Sequence, residues 1–199
     1  MKRAILLSGG LDSIALCYWK RPDVAITVDY GQLAAAAEVQ AAGVVARKLK
    51  IEHQILTVDC RSVGAGTMTR GSGQKWRIHG TQEEWWPYRN QLLITLAAAR
   101  LVFRGVNYLL VGTVKSDHRH RDGRVDFFDR MDAVLSFQEG RMHVRAPAIR
   151  LTTFELIRRS RVPYELIAWA HSCHVGDFAC GRCRGCRKHL DVRRQLVSA

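Results

Sequence analysis

Residues 5–16 read ILLSGGLDSIAL, and the reading of the rest of the chain turns on them. The stretch passes from an apolar run through Gly9 and Gly10 into apolar residues at helical spacing. One reading is a plain strand-to-helix turn in which glycine supplies a positive φ. The other is a phosphate cradle. Backbone N–H groups of a bare Gly-Gly turn converge there with the free N–H groups of a helix N-terminus, at the positive end of the helix dipole. Ser8 and Ser13 add hydroxyls, and the glycines are bare so that backbone reaches phosphate oxygens. Asp12 repels a phosphate unless a cation bridges the two. It is therefore read as a partner of Mg2+, which takes one or two carboxylates together with phosphate oxygens; the alternative is a first-turn carboxylate stabilised by the dipole. The spacing matches neither the Gly-Lys-Ser/Thr mononucleotide loop nor the spaced dinucleotide fingerprint.

Outward from this turn, strand and helix patterns alternate. Residues 3–8 read as a buried strand and 12–20 as a helix; 23–31 and 53–59 are further strands on either side of an Ala-rich helix over 33–50. Residues 61–86 lose all periodicity, which marks a functional or mobile segment. A helix over 89–105, a buried strand over 107–113, a helix over 124–140 and a short strand over 142–149 with Pro147 at its edge follow. Thr152 and Glu155 stand at capping-box spacing at the start of a helix over 151–160. The expected fold is α/β, a doubly wound, mostly parallel sheet with helices on both faces. Ligands in such sheets sit beyond the carboxyl ends of the strands, where Ser8, Tyr30 and Thr113 fall.

The 199 residues are 47% hydrophobic and 25% charged, the composition of a soluble globular protein. No apolar run approaches the roughly 18 residues of a membrane span, so no membrane association is expected. The apolar part of MKRAILLSGG is too short for a signal peptide, which leads to a cytoplasmic reading. The net charge of +13 points to anionic partners (nucleotides, nucleic acid or an acidic protein) or to a solvated basic surface. Cys17 and Cys60 read as ordinary buried thiols. Cys173, Cys180, Cys183 and Cys186 have the spacing C-x6-C-x2-C-x2-C, and four thiolates fill the coordination of a structural Zn2+. An iron–sulfur cluster and a redox pair compete with that reading. His171, His174 and His189 flank the cluster and are taken as surface residues. The division expected is a nucleotide-binding domain over 1–170 and a small zinc-binding segment over 171–199 packed on it.

SGGLDS (8–13) resembles the SGGxDS loop of the PP-loop ATP pyrophosphatases, which cleave ATP to AMP and pyrophosphate. Together with the cysteine cluster it resembles the 7-cyano-7-deazaguanine synthase branch of that family, and the resemblance runs over nearly the whole chain. It includes DYGQ (29–32), PYRN (87–90, where the family shows Pro-Gly-Arg-Asn), GT (112–113), Asp117, and CGRCRGC (180–186) after Cys173; RVDFFDRM is a looser match. The resemblance implies an adenine nucleotide alpha hydrolase-like fold. It also implies an AMP-forming, ATP-dependent ligase using ATP, Mg2+ and Zn2+, which turns 7-carboxy-7-deazaguanine into the amide and then the nitrile. ATP binding would fall to Ser8, Gly9, Gly10, Leu11, Asp12, Ser13, Tyr30, Gly31, Gln32, Arg89, Asn90 and Gly112. The chemistry would fall to Asp12, Ser13, Arg89 and Asp117, and the deazapurine to Asp117, Asp122 and Arg124. Trp85, Trp86 and Tyr88 are candidates to stack on it, the alternative being a core corner or a dimer contact.

Departures from the family pattern are concentrated. Leu33 to Ala37 are apolar where the family is basic, Thr153-Phe154-Glu155 stands in place of Lys-Ala-Glu, and HRHRDG (118–123) replaces a Ser-Gly-Tyr-Pro-Asp loop. They leave open a ligase that attaches the activated deazaguanine to an acidic protein or a nucleic acid, for example in antiphage defence, and also a tRNA-modifying enzyme. A homodimer is a further open expectation.

Overall fold

The computed structural model describes residues 1–69 and 81–198. Five strands, β1 (Lys2–Leu6), β2 (Val24–Asp29), β3 (Glu52–Thr57), β4 (Val106–Val111) and β5 (His143–Arg145), form one sheet in the order β3-β2-β1-β4-β5, every pair parallel. The chain winds from β1 to one edge and then crosses to the other side, so the order reverses at β1 and β4. Helices α1 (Leu11–Lys20), α2 (Ala35–Leu49), α3 (Arg89–Leu101), α4 (Val125–Phe137) and α5 (Thr153–Ser160) are joined by the single-turn α6 (Tyr164–Ile167) and the C-terminal α7 (Arg184–Val197).

Strand alternation divides the interior into two cores. Ile5, Leu7, Ala25 and Leu110 face one side, against α1, α2, α5, α6 and Val192 of α7. Ala4, Val24, Ile26 and Leu109 face the other, against α3 and α4. With both faces covered, the central strands read as nearly unbroken apolar runs, and for that reason they were visible in sequence. The doubly wound parallel sheet is the architecture expected.

The sequence reading differs from the structure at three places. The strand expected over 142–149 stops at Arg145, because Pro147 has no N–H with which to continue the ladder. Of the aperiodic stretch 61–86, residues 70–80 lie outside the described ones; before them come two 3₁₀ turns, Arg61–Val63 and Gly66–Met68. The segment after residue 171 contains α7, a 14-residue helix whose few apolar residues gave no clear pattern. Among the described residues no helix is long and apolar enough to cross a membrane.

The capping box at the start of α5 is formed. Thr152 Oγ1 accepts from Glu155 N at 3.2 Å, and Glu155 Oε2 accepts from Thr152 N at 2.7 Å. It sets Leu156 and Ile157 into the core shared by α1 and α6. Leu156 has no exposed surface. Leu156→Ala should lower stability by about 2–5 kcal/mol, read as a lower urea midpoint with an unchanged slope.

Candidate active site

A cavity of about 300 Å³ opens at the carboxyl ends of β1, β2 and β4, where the strand order reverses. Ser8, Gly10, Asp12 and Ser13 line one wall, Gly112, Thr113 and Asp117 another, and Arg89, Asn90 and Asp122 a third. Gly10 is the N-cap of α1, with extended backbone, and its carbonyl accepts from Ile14 N at 3.0 Å. Gly10 carries no side chain, so the first-turn donors of α1 have no side-chain cap. Ser13 Oγ donates to Gly10 O at 3.0 Å, and Ser8 Oγ to Ser13 Oγ at 3.2 Å. The two glycines divide the work. Gly10 faces the cavity, and a Cβ there would meet only ordinary contacts. Gly9 has φ +74°, and a Cβ on it would lie 2.7 Å from Glu38 O and 2.9 Å from Ala41 Cβ. The access-to-phosphate reading of both glycines is therefore corrected for Gly9, whose bareness lets the turn press against α2.

Asp12 sits at the floor of the cavity. Lys188 Nζ donates to Asp12 Oδ2 at 2.8 Å and lies 3.9 Å from Asp117 Oδ1. Burial raises the Asp12 carboxyl above the ordinary carboxylate range, with the nearby Asp117 charge adding to the rise and Lys188 pulling against it. Asp12 Oδ1 and the neighbouring Thr153 Oγ1 are buried and lack a well-formed hydrogen bond. The buried Asp12 carboxylate and the Asp117 carboxylate line the same cavity, a donor set that fits a divalent cation.

On the β2 side, Tyr30 packs edge-on to Trp86 with ring centroids 4.8 Å apart, and burial pushes its phenol upward against the pull of Arg89. Arg89 and Asn90 open α3. Asn90 Nδ2 donates to Asp122 O at 2.8 Å, which ties the start of α3 to the loop before α4. Gln32 is buried behind the wall, where its amide accepts from Tyr30 N at 2.9 Å and donates to Glu38 Oε2 at 2.8 Å. Glu38 lines the cavity, and burial pushes its carboxyl up to about 7.

Other residues singled out in the sequence stand elsewhere. Leu11 belongs to the core under the turn. Gly31 has φ +90° and packs on Arg61, behind the cavity wall. Trp86 is 1% exposed and fills a third small core with Val28, Tyr30, Cys60 and Met68, so the expected stacking face is spent on protein. Tyr88 is 76% exposed, at φ +53°, and does not line the cavity. Arg124 Nε donates to His118 O at 2.9 Å and holds the replaced loop together. Sequence reading missed Lys188, Glu38, Glu84 and Arg184, all of which line the cavity. The histidine reading is corrected for His174, which also lines it, half-buried. Only the charge run at 118–121 gave a sign of Arg119 and His120, which meet Glu84 at 3.1 and 3.6 Å.

The four cysteines of the C-terminal segment place their sulfurs within 4.8 Å of one another. Cys183 N points at Cys180 Sγ (3.3 Å), Cys186 N at Cys183 Sγ (3.4 Å) and His174 N at Cys183 Sγ (3.5 Å). Backbone N–H groups of Cys183 and Arg182 pull the Cys180 thiol down to about 6. Four converging sulfurs with N–H donors behind them suit a closed metal site.

The sequence profile of the family described as queuosine biosynthesis protein QueC matches residues 2–195. The chain belongs to the QueC family. It is 31% identical over 208 residues to a 7-cyano-7-deazaguanine synthase of Thermoplasma volcanium, covering 95% of this chain and 85% of that one. It is 34% identical over 226 residues to a 7-cyano-7-deazaguanine synthase of Nostoc punctiforme, covering 98% and 96%. Among solved structures it resembles the U34-tRNA thiolase NcsA from Methanococcus maripaludis with its [4Fe-4S] cluster. That TM-score is 0.54 at 17% identity, over all of this chain and 66% of that one, a likeness of fold. QueC membership agrees with the nucleotide-binding turn and the possibility of a metal at the cysteines.

Two outcomes follow from this geometry. Chelating any metal at the cysteines should loosen the segment from residue 173 onward, seen as protease cleavage there while β1–β4 stay protected from hydrogen exchange. Glu38 carries a carboxyl held protonated in the folded state up to about 7, so stability should fall as pH rises from about 4.5 toward 7. Glu38→Gln should flatten that part of the urea-midpoint profile between pH 5 and 8.

Proposed function

We propose that this QueC-family chain is an AMP-forming, ATP-dependent enzyme that adenylates 7-carboxy-7-deazaguanine and converts it through the amide to the nitrile. The observation that carries the reading is the uncapped start of α1, with Ser8, Gly10 and Ser13 facing the same cavity as Asp12. An oxyanion bound there meets backbone donors and hydroxyls, while Arg89 and Arg119 supply positive charge across the cavity.

The substrate carboxylate attacks the α-phosphorus of ATP, forming a mixed anhydride and expelling pyrophosphate. Donors at the glycine turn take up the charge that grows on the departing pyrophosphate. Ammonia then displaces AMP and loses a proton, giving the amide. In a second round the amide oxygen attacks another ATP, expelling pyrophosphate and losing one N–H proton, and loss of AMP with the remaining N–H proton leaves the C≡N bond. Asp12, with Asp117 beside it, would hold Mg2+, which supplies charge neutralisation to the phosphates when bound. Residues 173, 180, 183 and 186 would hold Zn2+ in a closed structural site. Asn90 and Asp122, joined across the mouth, would shape the deazapurine side together with Asp117. The 1–170 and 171–199 division is kept as part of the reading, with α7 docked through Val192.

A second reading has its own support. Arg119, Arg182, Arg184 and Arg187 line a neighbouring hollow of about 630 Å³ that shares Glu84, Arg119, His174 and Arg184 with the first cavity. An acidic macromolecule entering there would receive the activated deazaguanine in place of ammonia.

Incubation with ATP, Mg2+ and 7-carboxy-7-deazaguanine, with and without ammonium, should give AMP and the masses of amide and nitrile. AMP or a trapped adenylate without nitrile would select the second reading, and no AMP would overturn both. Asp12→Asn should keep the melting temperature within a few degrees and slow AMP formation by about 100-fold or more.

A further inference from the structure

We infer that Lys188 is a polyphosphate ligand of this cavity, and that the four-cysteine cluster is what holds it in place. The inference rests on the ATP reading above. Among the described residues Lys188 is the only lysine lining the cavity. Its stem is half-buried and its ammonium lies 2.8 Å from Asp12 and 3.9 Å from Asp117, at the floor where the glycine turn begins. The three groups carry two negative charges against one positive. Were Asp12 and Asp117 to hold a nucleotide's divalent cation, the Lys188 ammonium would be freed to turn toward the phosphates. A flexible stem with a compact charge suits that exchange better than a planar guanidinium does.

The placement of Lys188 depends on the cluster. Cys183 is the N-cap of α7, its sulfur accepting from Cys186 N, and Lys188 follows Cys186 by two residues in the same turn. Gly185 seats that turn against the preceding segment so closely that a Cβ would lie 1.8 Å from Ser172 O and 2.7 Å from His174 Nε2. The cluster therefore joins residue 173, the entry to the segment, to the one helical turn that presents Arg184 and Lys188 to the cavity. Farther along, among the described residues, Val192 and the partly buried Leu196 anchor α7 to the core. The first turns are also held by the Ser172 Oγ–His189 Nδ1 bond at 2.9 Å and the Arg184–Glu84 pair at 3.7 Å, contacts weaker than four thiolate bonds to a metal would be.

The test uses the non-cleavable α,β-methylene analogue of ATP, and inorganic pyrophosphate, with Mg2+ in a calorimeter. Lys188→Met should weaken both about tenfold or more, while Lys188→Arg stays within about threefold, at unchanged metal content per chain. Removing the metal should weaken wild type to the level of Lys188→Met and weaken Lys188→Met no further. On unmutated protein, acetylation of Lys188 followed by mass spectrometry should be suppressed by pyrophosphate, which keeps the test decisive if Lys188→Met does not fold. Unchanged affinity in Lys188→Met, or acetylation indifferent to pyrophosphate, would reduce Lys188 to a counter-charge for Asp12 and overturn the inference alone. If metal removal weakens Lys188→Met as much as wild type, the cluster does not act through Lys188. Wild type that binds neither probe would take the ATP reading down with it.

Discussion

A buried carboxylate needs either a proton or a positive charge beside it, and Asp12 imposes that need here. Burial alone would drive it toward the neutral form, and Asp117 pushes the same way. In the structure the balance comes from Lys188, 176 positions away in sequence. This contact makes the C-terminal helix part of the site as well as of the core. Once α7 is committed there, the cysteines, the close seat of Gly185 and the bond from His171 N to Gly9 O (2.9 Å) all have a common geometry to maintain.

The electrostatics of the mouth extend the same theme. Glu84 is largely buried and faces Arg119, His120 and Arg184, at 3.1, 3.6 and 3.7 Å. These side chains come from the loop after β4 and from the N-terminus of α7, so one carboxylate draws together two segments distant in sequence. Positive groups outnumber it, and the chain's charge of +13 is consistent with an excess that remains available to an anion.

The parts legible in the sequence were those where local pattern and burial agree. β1, β2 and β4 are covered on both faces and appear as apolar runs, and the turn at 8–13 carries its chemistry within six consecutive residues. What escaped was long-range or ambiguous in type. α7 is rich in arginine and lysine and contributes little apolar surface, so its helix was invisible, and with it Lys188. Trp86 beside Trp85 and Tyr88 had the look of a stacking cluster. Its single buried position behind Tyr30 is set by Met68 and Cys60, which no spacing rule connects to it. For the paired glycines composition was the same and the reason different: Gly9 answers to a neighbouring helix and Gly10 to the cavity.

The meeting of residue 12 with residue 188 also bears on how the molecule comes into being. A ribosome delivers the glycine turn long before the lysine, and only closure of a loop across 176 positions brings them together. Were the sheet to collapse before α7 docks, the cavity would lack the wall made by Arg184, Gly185 and Lys188. Such an unfinished chain would be a folded body without competence, and its waiting time would be set by translation and metal capture instead of by the collapse itself.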